Sequence, residues 1–273
     1  MRPLAAVLCA GIGTRRLEGS ARMHERPIAE LVTALQQVHI PLAPLLMLML
    51  PSWEQIYLAH LVAALRLPYK PHLYLVRKST APGSANASIG GLITTTASTS
   101  SQFITSLLLV APLCSNTTTI TISGNIISAP YIRMTTELMK QFGISLSCSV
   151  NATSTSYVIS PGKYISPTVI DVEGDASSSS YLLAATVLCN AYHNSNSTIH
   201  VVGCGDSSLQ GDIQFASALR RMGVNITTTA TTMKVTPGGS LQPLDLDCVA
   251  IPDAAMTLAV IASTIPGTLR MIY

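Results

Sequence analysis

Charge is scarce in this chain. Asp, Glu, Lys and Arg together supply only 11% of 273 residues, and the formal net charge is +3. No Lys/Arg cluster occurs, and a nucleic-acid face needs one, so the composition argues against that class of partner. A few cations converging on one small anion need placement rather than net charge, and that reading stays open. Hydrophobic residues reach 48%, enough for a packed core and too much for a disordered chain. Paired cysteine is also missing. Cys9, Cys114, Cys148, Cys189, Cys204 and Cys248 stand singly, without a Cys-x-x-Cys, so the common zinc patterns are absent. Free thiols in a reducing cytoplasm are expected.

No apolar run reaches the ~20 residues of a membrane span. The most apolar stretch, Ile40 to Leu50, is interrupted by Pro41 and Pro44 and ends at Pro51. It reads as buried, interfacial or aberrant, not as a membrane helix. The start, Met1 to Ala10, has a short apolar run broken by Pro3 and followed by Arg15-Arg16. That is a poor leader, and a mature helix is expected. There is no Gly-x-Ser-x-Gly elbow and no nucleotide-binding glycine fingerprint. The histidines form no set with Ser and Asp.

Periodicity is plentiful. Leu31, Leu35 and Val38 recur at helical spacing and predict a helix over Ala29 to Gln37. From Ser101 the order is helix (101–110), strand (117–123), helix (130–141), strand (144–150), strand (156–160). From Ser177 the same order returns: helix (177–189), strand (197–202), helix (211–222), strands (224–230 and 232–236). Both second helices stop alike, at Met139-Lys140-Gln141-Phe142-Gly143-Ile144 and Leu219-Arg220-Arg221-Met222-Gly223-Val224, with Gly placed as a left-handed C-cap. A last helix is expected over Ala254 to Ser263. Leu67 to Ser88, with its Pro, Gly, Ser and Asn, is expected to be loop-rich. The pattern is an α/β repeat architecture with a boundary near Val172-Glu173-Gly174.

Three kinds of segment could carry chemistry. Gly90-Gly91, a Thr-rich run and Ser98-Thr99-Ser100-Ser101-Gln102 lead into a helix, whose N-terminus suits either a bound phosphate or plain serine capping. Arg22 and Arg26 flank a turn just before a helix, where they are a carboxylate or phosphate clamp or a solvated loop. Asp175, Asp212 and Asp253 each stand at an expected helix start. Each is either an N-cap or, in a cleft, a positioned base.

Seven stretches in this order resemble one family. They are MRPLAA (1–6), ARMHERPIAELVTAL (21–35), SSQFITSLLLVAPL (100–113), SAPYIRMTTELMKQFGI (128–144), VEGDASSSSYLLAA (172–185), SLQGDIQFASALRRMGV (208–224) and IPDAAMTLAV (251–260). Together they are similar to the 5-enolpyruvylshikimate-3-phosphate synthase family. The resemblance implies transfer of an enolpyruvyl group from phosphoenolpyruvate to shikimate 3-phosphate, with no metal or organic cofactor. It implies two domains built from repeated βαβαββ units and closing on the substrates: 1–173 as a partial shikimate-3-phosphate-binding domain and 174–273 as a partial second domain. By motif, Ser100, Ser101 and Gln102 resemble the residues that hold the phosphate and ring, with Ser128 and Tyr131 as their neighbours. Arg26 resembles the arginine on the phosphoenolpyruvate side, Arg2 one that shapes that site, and Asp253 the acid that moves a proton at the 5-hydroxyl.

The motif comparison also carries expectations about the ends. The family's glycine-rich turn and lysine motif would precede Arg2, and its Arg/Lys/Glu-rich motif would follow TLRMIY (268–273). Losing several charged contacts, each worth about 1.5–3 kcal/mol, leads us to expect impaired transferase activity. Ile40 to Leu67 looks longer and more apolar than the family pattern. Partners implied are the two substrates and other shikimate-pathway domains in a longer polypeptide, with no nucleic acid and no membrane. The alternatives are a non-catalytic remnant that binds shikimate 3-phosphate and the sister enolpyruvyl transferase acting on a UDP-sugar. The SSQF, SLQGD and IPDAA strings favour the shikimate enzyme over the sister.

Overall fold

The computed structural model describes residues 3–4, 6–7, 14–17, 29–37, 42–43, 73–77, 90–96, 101–124, 126, 128–193, 195–267 and 271–272. Most of the Ile40 to Leu67 stretch lies outside them. Two compact units emerge, Met1–Ile126 with Thr135–Ser166, and Ile127–Met134 with Pro167–Tyr273.

The first unit contains β1 (Thr14–Leu17), α1 (Ala29–Gln37), β2 (Leu42–Ala43), β3 (Leu73–Arg77), β4 (Gly91–Thr96), α2 (Ser101–Val110) and β5 (Thr118–Ser123). The helix α3 (Ala129–Gln141) gives its first six residues to the second unit and the rest to this one. Then come β6 (Leu146–Val150) and β7 (Ser154–Ile159). The order predicted from Ser101 is the order found. Four strands, β1 to β4, were not anticipated. β3 falls in the expected loop, where Leu-Tyr-Leu-Val suits an extended chain, and it pairs antiparallel with β1 and β2. β4 starts at Gly91, directly after Gly90, and runs parallel to β5.

The four-stranded sheet has the order β4-β5-β7-β6. Thr-Ile alternation in β5 turns Ile120 and Ile122 inward, and Ile120 pairs with Ile93 of β4. Phe103, Ile104, Leu107 and Leu108 of α2 are buried as well. Each such side chain contributes about 1.5–3 kcal/mol on burial. Gln37 fastens α1 to the sheet: its Oε1 accepts from the Thr94 N–H at 2.9 Å.

The second unit holds α4 (Ala176–Tyr192), β8 (Ile199–Val202), a 3-10 turn (Gly211–Gln214), α5 (Phe215–Arg221), β9 (Ile226–Thr228), β10 (Thr232–Val235), β11 (Leu246–Asp247), α6 (Ala255–Ala262) and β12 (Met271–Ile272). The helix expected over 211–222 is thus a 3-10 turn leading into a short α-helix, a common way to start one. β8, β10 and β9 form an antiparallel sheet in that order, the same pairing as β5-β7-β6. Its core includes Leu183, Val187, Phe215, Leu219, Met233, Leu258 and Ile261.

The two helix stops match bond for bond. Gly143 N–H donates to Lys140 O at 2.9 Å and Ile144 N–H to Met139 O at 3.0 Å. Gly223 N–H donates to Arg220 O and Val224 N–H to Leu219 O, each at 3.0 Å. Both glycines have positive φ, +80° and +90°, as this termination requires. Among the described residues no helix is long and apolar enough to cross a membrane.

Candidate active site

Three aspartates that stand far apart in the chain meet in the second unit. Their helix starts converge because small residues allow it. A Cβ on Gly211 would lie 2.5 Å from Ala250 O and 2.9 Å from the Pro130 side chain, so only glycine lets the 3-10 turn approach both. Gln210 ties that turn to the start of α4. Its Oε1 accepts from the Ala176 N–H at 2.9 Å, and its Nε2 donates to Gly174 O at 2.6 Å.

The serine run in α4 looks repetitive in sequence, but each of its four hydroxyls bonds differently. Ser177 donates its hydroxyl to Asp212 Oδ2. Ser178 donates to Asp175 Oδ2 at 2.6 Å. Ser179 donates to the Asp175 carbonyl at 2.7 Å, and Ser180 to the Ser177 carbonyl at 2.6 Å. Ser180 also reaches Thr257 of α6 at 3.2 Å, joining the two helices.

The two readings of each aspartate now separate. Asp175 is an N-cap: Oδ1 accepts from the Ser177 and Ser178 N–H groups at 3.0 and 3.2 Å. Asp212 and Asp253 are not N-caps, since the cap positions of the 3-10 turn and α6 are Gln210 and Ala254, neither with a side-chain cap bond; Asp212 faces the Ala254 N–H. Asp253 is exposed and accepts instead from the Tyr131 phenol, a residue of the same unit. Asp212 is buried, and its Oδ1 has no hydrogen-bond partner among the described residues.

The electrostatics follow from these contacts. The Ser178 hydroxyl and N–H hold the exposed Asp175 carboxyl below its ordinary value. Burial pushes Asp212 up, and the nearby charges of Asp253 and Asp175 add to this. The Ser177 hydroxyl and the Ala254 N–H oppose the rise. Burial also pushes the Tyr131 phenol well above its ordinary value, reinforced by its bond to Asp253 and by that residue's charge.

Asp253 opens onto a cleft of about 730 Å³ whose wall includes Asp175, Ser177, Ser178, Tyr181 and Met256. An exposed carboxylate with a phenol fixed on one oxygen keeps its other lone pairs for a proton from a ligand. Among the described residues no group of three or more His, Cys, Asp and Glu side chains is arranged to hold a metal ion.

Of the expected site residues, the structure brings Asp253 and Tyr131 into contact. Ser128 stands three positions before Tyr131 at the turn that opens α3. Its φ is +58°, the left-handed region, and its carbonyl accepts from the Tyr131 N–H at 3.1 Å. Ser101 and Gln102 occupy the first turn of α2 in the first unit. Ser100, Arg2 and Arg26 lie outside the described residues. The expected list omitted Ser177, Asp175 and Asp212. Their signal was the recurrence of Asp at a helix start, as in Gly-Asp-Ala, Gln-Gly-Asp and Pro-Asp-Ala.

Solved structures place this architecture among the enolpyruvyl transferases. EPSP synthase from Acinetobacter baumannii matches with a TM-score of 0.64 at 15% identity, over 99% of this chain and 54% of that one. The enolpyruvyl transferase NikO from Streptomyces tendae also gives 0.64 at 15%, over 98% and 55%. At such identity the likeness shows the fold alone, and the fold is the enolpyruvyl transferase fold.

Sequence comparison is sharper. The family model of EPSP synthase (3-phosphoshikimate 1-carboxyvinyltransferase) matches residues 74–272. The chain is 40% identical over 276 residues to the 3-phosphoshikimate 1-carboxyvinyltransferase of Cronobacter sakazakii, covering 100% of this chain and 55% of that protein. It is 38% identical to that of Shewanella amazonensis, over 99% of this chain and 55% of that protein. The Vibrio atlanticus protein is 39% identical, over 100% and 56%. This chain belongs to the EPSP synthase family, and it spans about half the length of the curated relatives it matches.

Proposed function

We propose that the chain serves the reaction for which its relatives are named, transfer of the enolpyruvyl group of phosphoenolpyruvate to shikimate 3-phosphate with release of phosphate. The observation that carries this reading is the Tyr131 phenol seated on the exposed carboxylate of Asp253 at the mouth of a cleft. The 5-hydroxyl oxygen adds to C2 of phosphoenolpyruvate as C3 takes up a proton, and loss of a C3 proton then expels phosphate from C2; the first step needs a base for the hydroxyl proton. Asp253 is that base, and Tyr131 fixes which carboxylate oxygen is free to act. Ser128 sets the entry of the helix that carries Tyr131.

The remaining roles follow the family motifs. Ser100, Ser101 and Gln102 hold the phosphate and ring of shikimate 3-phosphate, helped by the N-terminus of α2. Arg26 takes phosphoenolpyruvate, and Arg2 shapes that site. The domains are 1–173 and 174–273, working in the cytoplasm, within a longer polypeptide carrying other shikimate-pathway domains. No metal or organic cofactor has a step in this scheme.

Calorimetric titration with shikimate 3-phosphate, paired with a phosphate-release assay in the presence of phosphoenolpyruvate, tests the proposal. Binding with release is expected. Binding without release would favour a non-catalytic binding module, and absence of both would overturn the reading.

A further inference from the structure

Behind this wall lies Asp212, which does not itself line the cleft. It is 4% exposed, yet one of its carboxylate oxygens has no partner among the described residues. Such a group is costly to keep buried. The side chain that bonds to it is Ser177. That serine is half-buried, lines the cleft beside Asp253, and gives its hydroxyl proton to Asp212 Oδ2.

A hydroxyl has one proton and two lone pairs. With the proton committed to Asp212, Ser177 Oγ has only acceptor capacity left for the cleft. The same holds for Ser178, whose proton goes to Asp175. Asp175 and Asp253 are themselves acceptors when ionised. The serine and aspartate side chains of this wall therefore accept hydrogen bonds and offer none to a ligand. Hydroxyl groups satisfy such a wall. Phosphate and carboxylate oxygens are repelled by it.

We propose that Asp212 is a positioning residue that fixes the Ser177 hydroxyl as an acceptor, so that this wall takes the ring hydroxyls of the substrate and turns its anionic groups away. The inference rests on the proposed substrate, and it adds Ser177 as a residue that selects for hydroxyls.

The test is calorimetric titration of the full chain with shikimate 3-phosphate. Ser177→Ala is expected to weaken binding about two- to tenfold, the effect of one neutral hydrogen bond. Asp212→Ala should weaken it by a similar factor. The double variant should lose less than the sum of the two single losses, because Asp212 acts on the cleft side of the wall through the serine, whatever its contact with the Ala254 N–H adds. Asp212→Asn keeps an oxygen to accept the Ser177 proton and should bind within about twofold of the wild type. If Asp212→Ala does not fold, the contrast between Ser177→Ala and Asp212→Asn still decides. Competition by inorganic phosphate should be unchanged in Ser177→Ala. Losses that add in the double variant, or a Ser177→Ala chain that binds like wild type, would overturn the inference while leaving the proposed function standing. A wild-type chain that does not bind shikimate 3-phosphate would contradict the proposed function, and this inference with it.

Discussion

A phenol that is partly buried and bonded to a carboxylate resists ionisation. For Tyr131, burial acts first, and the bond to Asp253 and its negative charge push the same way. Replacing that carboxylate with an amide removes its negative charge while leaving an oxygen that can still accept from the phenol. In Asp253→Asn, the phenolate absorbance of Tyr131 should therefore rise at lower pH than in the wild type, with Tyr131→Phe identifying the transition. An unchanged alkaline titration would contradict the contact. Asp212 gives a second pH prediction, with the opposite consequence for folding. Its folded pKa is raised by burial and by the charges of Asp253 and Asp175, against the pull of Ser177 and the Ala254 N–H. Below an unfolded value of ~3.9, both states hold the proton and nothing is lost. Above it, the unfolded chain releases the proton first, so stability falls with rising pH until the folded carboxyl also ionises. Asp212→Asn escapes this loss. Its melting temperature relative to wild type should be higher at pH 7 than at pH 4, and an equal difference at both would count against the buried charge.

These residues were only partly legible in the sequence. Asp253 and Tyr131 sit in motifs that resemble the family, so both were expected at the site. Asp212 was visible only as an acid at a helix start, indistinguishable there from the true cap at Asp175. Which aspartate caps and which does not depends on what the other elements bring to it. The Ser177 hydroxyl reaches Asp212 and the Tyr131 phenol reaches Asp253, contacts between segments separated along the chain that periodicity does not encode.

The elements themselves were easier to read. Thr-Ile alternation located β5, and the paired glycine stops located the ends of the second helix in each repeat. The weakly patterned strands were missed. β4 begins at the second of two glycines, and β3 lies in a segment rich in turn formers. The helix stops give a prediction at this scale. Gly143→Ala forces a side chain into left-handed backbone, at about 1–2 kcal/mol. Its new Cβ would meet nothing closer than Ile165 at 3.5 Å, an ordinary contact. Gly223→Ala meets the same backbone penalty, and its Cβ would also lie 2.4 Å from Ser240 O. Chemical denaturation should show Gly223→Ala as the more destabilised of the two. The reverse order would show that the two stops are not built alike.

At the scale of the whole molecule, the recurring order helix, strand, helix, strand, strand, with the sheet pairing β5-β7-β6 and its counterpart β8-β10-β9, makes one pattern used twice. Family membership rests on 38–40% identity over essentially the full chain, and that chain spans about half of each relative. What the molecule does therefore turns on whether the cleft at Asp253 works. The most direct measurement is the rate of phosphate release from phosphoenolpyruvate on addition of shikimate 3-phosphate, compared between the wild-type chain and Asp253→Asn. The account predicts release that needs both substrates and falls by about a hundredfold or more in the variant, the scale of a lost general base. Equal rates in the two proteins, or no release from the wild type, would contradict it.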